Sequence, residues 1–168
     1  MHIVRNALSP AGVPARLKGI VIGVGHDDRA DDAAGPAVAR MVASHLPDGW
    51  RAIEHHGDLT RLADLWDGMD EAVIVDAVVS GAPVGTIHHI DLLAEPASRL
   101  AGAGSSHGIG LLEAVDLART LHRLPGRLTL VGVEALDSAV GAPMSLEVQC
   151  HLPVAAALVL EEARATVA

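Results

Sequence analysis

The chain has 168 residues, enough for one domain that hides roughly 68–70% of its unfolded surface, so it needs no covalent or metal staples. Half of the residues are apolar, yet Phe and Tyr are absent and Trp50 and Trp66 are the only aromatics besides histidine, so the core must be aliphatic. A formal net charge of −9 argues against nucleic acid or an anionic membrane as partner, the single Cys150 rules out an internal disulfide, and no apolar run approaches the ~20 residues of a membrane span.

Residues 1–18, MHIVRNALSPAGVPARLK, carry two arginines and a lysine without a continuous apolar region, which predicts a flexible leader and not a signal peptide. A soluble, cytoplasmic protein is expected. Gly19–Val24 (GIVIGV) is short, apolar and β-branched, as suits a strand buried on both faces. Ala33–His45 reads as a helix, Trp50–His56 as a second strand and Leu59–Trp66 as a short helix. Ala72–Ala77 (AVIVDA) is the third strand, apolar until it reaches an aspartate. After the turn SGAP, Gly85–Asp91 reads as a fourth strand, antiparallel to the third because the connection is so short. A Gly, Ala and Ser-rich loop leads to a helix at Leu111–Leu121 and a fifth strand at Arg127–Glu134. Ser145–Val167 is largely helical, restarting at Pro153. Alternating apolar strands and helices predict one α/β domain over 19–168: three layers, with a mostly parallel, five-stranded twisted sheet between helices and one antiparallel strand. In such sheets, sites gather at the carboxyl ends of strands.

The segment GVGHDDRADDAAGP follows the first strand and places Asp27, Asp28, Asp31 and Asp32 within six positions. One helix cap needs one aspartate. Two carboxylates about 4 Å apart repel by up to ~4 kcal/mol at an effective dielectric near 20, so capping alone leaves Asp32 unexplained if the pair is enclosed. A dinucleotide loop is excluded because the third glycine of GxGxxG would be Asp28, and carboxylates repel a pyrophosphate. The turn suits a cation. Asp76 closes the AVIVD strand, either as a turn cap or as a ligand, and His107 in GSSHGIG stands just before a helix. Two carboxylates and one imidazole would make an open, three-ligand site suited to zinc or nickel. No serine or cysteine nucleophile is convincing, since Ser105 and Ser106 lack an elbow or triad and Cys150 falls in the terminal helix.

These segments, with VIVDAVVSGAPVGTIH, SSHGIGLLEAVDLA and LPGRLTLVGVEA in the same order, resemble the hydrogenase maturation endopeptidases, from Gly19 to about Ala163. That family trims the C-terminal extension of the nickel–iron hydrogenase large subunit. The resemblance implies a twisted sheet between helices, and a metal site formed here by Asp32, Asp76 and His107. It implies recognition of nickel already installed in the precursor, so that the substrate presents the metal, with zinc or another divalent ion able to bind in vitro. Asp31 matches an acidic position beside the first ligand, with an orienting or capping role. Gly23, Gly25 and Gly35 match glycines that allow a tight turn and close helix approach. Asp27 and Asp28 are expected to be solvated.

Two segments depart from the family pattern. His26 stands where Asn is common, with spare ligand, substrate contact or tolerated surface residue as its open roles, the last preferred. Glu54–Asp58 (EHHGD) replaces a DGGT-like loop associated with the choice of hydrogenase partner. His26, His55 and His56 are therefore the side chains open to a substrate-facing role. His55/His56 and His88/His89 are otherwise structural or surface pairs, because neighbours on a strand face opposite ways. The implied activity is metal-dependent processing of a nickel–iron hydrogenase large-subunit precursor. A non-catalytic metal-binding maturation chaperone and a small-metabolite metallohydrolase are the alternatives.

Overall fold

A computed structural model describes residues 17–56, 58–94, 108–136 and 138–165. Its strands are β1 (Gly19–Val24), β2 (Trp50–His55), β3 (Glu71–Val78), β4 (Ile87–Asp91) and β5 (Arg127–Glu134). The helices are α1 (Ala34–Val42), α2 (Leu62–Leu65), α3 (Gly108–Thr120) and α4 (Leu146–Ala165), with short 3-10 turns leading into α1 and α2. The strands form one sheet in the order β2-β1-β3-β5-β4, parallel except where β4 runs against β5. The expected leader falls almost wholly outside the described residues.

Strand alternation sorts the apolar residues into two cores. Ile20, Ile22, Ala72, Ile74, Leu128 and Leu130 face α2 and α3, whereas Val21, Val73, Val75, Val131 and Val133 face α1 and α4. The sheet is thus the middle of three layers, and the core is aliphatic apart from two tryptophans. Trp66 is 1% exposed and donates its indole N–H to the Arg123 carbonyl at 2.9 Å. Trp50 lies so close over Gly19 that a Cβ there would collide with the indole ring. Both sit toward the amino end of the sheet.

Two expectations need correction. β4 does run antiparallel to β3, but it pairs with β5. β3 has β1 on one side and β5 on the other, so the short turn reverses the chain without making a hairpin. Composition explains the choice: β5 is buried almost throughout and needs two neighbours, whereas half-exposed β4 (IHHID) belongs at an edge. The second correction is at Pro153, which does not restart α4; the helix runs through it. The missing N–H leaves the Gln149 carbonyl without its helical donor, and Gln149 is exposed, where water can serve it.

The order places β2 on one side of β1 and β3 with β5 on the other, and α1 packs across β1, β2 and β3 on one face. The strand order reverses between β1 and β3, the point at which such sheets open a crevice outside their carboxyl ends.

Candidate functional site

α1 comes close to the strand ends because its first turn has almost no side chain. A Cβ on Gly35 would collide with the carbonyls of Val24 and Val75, the residues ending β1 and preceding Asp76. Gly25 has φ 134°, and a Cβ there would strike the Asp32 carbonyl. These two glycines bring the acidic turn against the ends of β1 and β3. Asp32 is 1% exposed and Asp76 is fully buried.

The adjacent aspartates have different tasks. Asp31 does not cap the helix, and the turn that contains it has no side-chain cap bond. It is fully buried and accepts Leu136 N–H at 2.9 Å and Ser145 N–H at 2.7 Å, fastening both ends of the β5–α4 connection. Ser145 in turn caps α4, its hydroxyl accepting Val148 N–H at 3.4 Å. Two backbone bonds complete the attachment: Gly141 N–H to Asp28 O at 2.6 Å and Ala30 N–H to Ala142 O at 3.1 Å. Ala30 is held at φ 45°, a conformation costly for a residue with a Cβ and often retained at functional sites.

Asp32 Oδ2 accepts the His26 backbone N–H at 2.9 Å, with the His26 ring Nδ1 3.2 Å away. His26 is one-third exposed and stands beside His56, ring centroids 5.9 Å apart. The preferred reading of His26 as a merely tolerated surface residue misses this contact. Asp27 is exposed, as expected, but is not simply solvated. The Arg40 guanidinium bonds both its oxygens, at 2.7 and 3.0 Å, and holds its carboxyl below the usual carboxylate range.

The EHHGD loop is fastened at each described position. Glu54 accepts from Arg40 at 2.6 Å, and His55 Nε2 lies 3.2 Å from the Asp58 carbonyl. His56 Nδ1 contacts the Gly25 carbonyl at 2.5 Å. Because a carbonyl only accepts, that nitrogen carries the proton. Asp58 accepts the Thr60 N–H and hydroxyl at 2.9 and 2.6 Å, which cap the next turn and lower its pKa. Arg40 therefore ties α1 to both segments beside Asp32, a role the sequence reading overlooked.

Glu134, which ends β5, was overlooked as well. It is 1% exposed and accepts the backbone N–H groups of Ser80 at 2.7 Å and Gly81 at 3.0 Å, the Ser80 hydroxyl at 2.7 Å and His88 Nε2 at 2.8 Å. Burial opposes its ionisation, but the bonds from Ser80, His88 and Gly81 outweigh burial and lower its pKa. His88 thus serves Glu134, and His89 turns to the other face to meet Glu162 at 3.0 Å.

Alternation along β3 sends Asp76 toward the same face as Ile74, the side on which α3 begins at Gly108. His107 lies outside the described residues. Among the described residues, no three His, Cys, Asp or Glu side chains are grouped so as to hold a metal ion. Asp32 and Asp76 are thus two buried carboxylates at the carboxyl end of the sheet, beside the neighbouring strands β1 and β3.

A family model described as hydrogenase maturation protease matches residues 58–162, more than half of the chain. The chain belongs to the hydrogenase maturation protease family. The matched span includes Asp76, His107 and Glu134 and begins after the acidic turn. The hydrogenase expression/formation protein HupD of Rhizobium leguminosarum bv. viciae is 26% identical over 149 residues, covering 87% of this chain and 74% of HupD. The fold is similar to the maturating endopeptidase HybD of E. coli, with TM-score 0.76, 24% identity and coverage of 89% and 93% of the two chains. It is likewise similar to the [NiFe] hydrogenase maturation protease HybD of Thermococcus kodakarensis, with TM-score 0.70, 25% identity and coverage of 87% and 99%. The sheet and helix arrangement expected for a maturation protease is the one observed.

Proposed function

We propose that this protein removes the C-terminal extension of a nickel–iron hydrogenase large-subunit precursor after nickel has been inserted. Membership of the maturation protease family supports a processing role. The observation that carries the finer reading is the burial of Asp32 and Asp76 at the carboxyl edge of the sheet, where Gly35 lets the acidic turn close on the ends of β1 and β3.

Two carboxylates, with His107 as third donor, are a ligand set that suits nickel, and zinc or another divalent ion in vitro. In this reading nickel arrives as part of the substrate, and its presence decides whether the tail is presented for cleavage. The chain's own residues position and exclude. Gly25 and Gly35 let the turn close on the strand ends, and His26 fixes the orientation of Asp32 through two contacts. A carboxylate beside the scissile amide can accept a proton from attacking water and return it to the leaving amine. No helix among the described residues is long and apolar enough to cross a membrane, and the reading places the encounter in the cytoplasm.

The test is mass spectrometry of a nickel-loaded large-subunit precursor incubated with wild type and with Asp76→Asn, which keeps the shape of the buried side chain. Loss of a C-terminal peptide with wild type only is the expected result. Stable binding without shortening would replace this reading with that of a non-catalytic maturation chaperone.

A further inference from the structure

The β5–α4 connection combines firm support with exposed apolar side chains. It is held from below by four bonds to the acidic turn: Leu136 N–H and Ser145 N–H to Asp31, Gly141 N–H to Asp28 and Ala30 N–H to Ala142. Met144 packs against the core, but the other large apolar side chains point outward. Leu136, Val140 and Leu146 are 69%, 73% and 73% exposed, and Val79 is 47% exposed. Val79 belongs to the same surface, since Ala135 N–H bonds the carbonyl of its neighbour Val78 at 2.8 Å. Ser138–Leu146 (SAVGAPMSL) carries no charged side chain between the acidic residues Asp137 and Glu147 that bound it in sequence.

Rigid support beneath and unsatisfied apolar surface above are the marks of a contact surface, not of a loop left to solvent. We infer that Leu136, Val140, Leu146 and Val79 form the docking platform for an apolar segment of the precursor protein. This rests on the processing reading above and adds the place and chemistry of substrate contact. Three observations select this occupant. The platform is continuous with the site, because Asp31, which holds both its ends, is the neighbour of Asp32. The four exposed side chains are themselves apolar, although Asp137 and Glu147 adjoin two of them in sequence, so apolar burial is what they offer a partner. Finally, four side chains offer a patch of only a few hundred Å², so two copies facing one another through it would fall short of the roughly 1,200 Å² of a stable specific interface. A large precursor also held at the crevice makes up the remaining area elsewhere.

The experiment compares wild type, the triple variant Leu136→Ser/Val140→Ser/Leu146→Ser, and Leu121→Ser, an exposed apolar residue just after α3. Processing kinetics and equilibrium binding are measured with the nickel-loaded precursor, and sedimentation gives the oligomeric state. The triple variant should raise KM and Kd about tenfold or more with kcat within about twofold, whereas Leu121→Ser should change neither. Unchanged KM and Kd in the triple variant would overturn the platform even if wild type processes the precursor normally. A wild type that binds without cleaving would end the protease reading while Kd still decides the platform. A wild type that neither binds nor cleaves would show the occupant to be wrong. A shift in oligomeric state with unchanged Kd would assign the surface to a second copy instead.

Discussion

At the amino end of the sheet, charge is left in partial contact with water. Arg127 bonds Glu162 at 2.9 Å and reaches Glu71 at 3.5 Å, and Arg123 pairs with Asp64 at 3.0 Å. At the carboxyl end, Asp31, Asp32, Asp76 and Glu134 are each no more than 1% exposed. The first arrangement contributes little, because water and salt screen such partly exposed pairs. The second is costly to build, because each carboxylate must exchange hydration for fixed donors. Asp31 and Glu134 repay that cost structurally, by binding backbone N–H groups of the loops that frame the crevice. Asp32 and Asp76 stand between those loops. The difference teaches that this fold concentrates buried charge at one end, with an inner pair beside the crevice and an outer pair that shapes it.

The contrast can be broken at several points. Asp76→Asn should lower precursor processing roughly a hundredfold or more, the scale of losing a group that acts at the reacting atoms, with little change in the urea midpoint. Unaltered processing would move Asp76 into the structural pair. Glu134→Ala should cost about 3 kcal/mol in urea unfolding, because it removes the buried, charged acceptor that two backbone N–H groups and a hydroxyl share. Asp31→Ala should cost about 2 kcal/mol and speed hydrogen exchange at the Leu136 and Ser145 amides, leaving those of β1 protected.

A milder test uses pH. The folded pKa of Glu134 lies below its ordinary 4.5, so its stabilisation is complete above about 4.5 and is lost as pH falls through the folded value. Wild-type stability should therefore fall more steeply below about pH 4.5 than that of Glu134→Gln, read from urea midpoints at successive pH values. The smallest effect is expected at the other end of the sheet: Arg127→Ala should change stability by less than about 1 kcal/mol, and less still in high salt.

The central strands could be read in the sequence because they are largely apolar, β-branched runs, and GIVIGV and RLTLVGVE match their observed bounds. Loop length gave the direction of β4 but not its neighbour. The signal for the neighbour was polarity: IHHID carries too much of it for a central place. Asp31 was misread as a cap because its partners are 105 and 114 residues away, beyond any local pattern. Glu134 had a usable signal, since it ends an apolar strand much as Asp76 interrupts one. Its partners Ser80 and His88 lie beyond β3, where only the fold brings them within reach. The tie from Arg40 to Asp27 and Glu54 likewise spans separate elements.

The placement of the two tryptophans has a spectroscopic consequence. With no tyrosine in the chain, ultraviolet-excited emission comes from Trp50 and Trp66 alone, both buried toward the amino end. Their fluorescence should red-shift when the layers come apart and stay nearly constant when the crevice is altered or a precursor docks. The protein thus carries an optical probe of unfolding that is almost blind to the carboxyl edge, so fluorescence can follow stability in each variant while processing is measured independently.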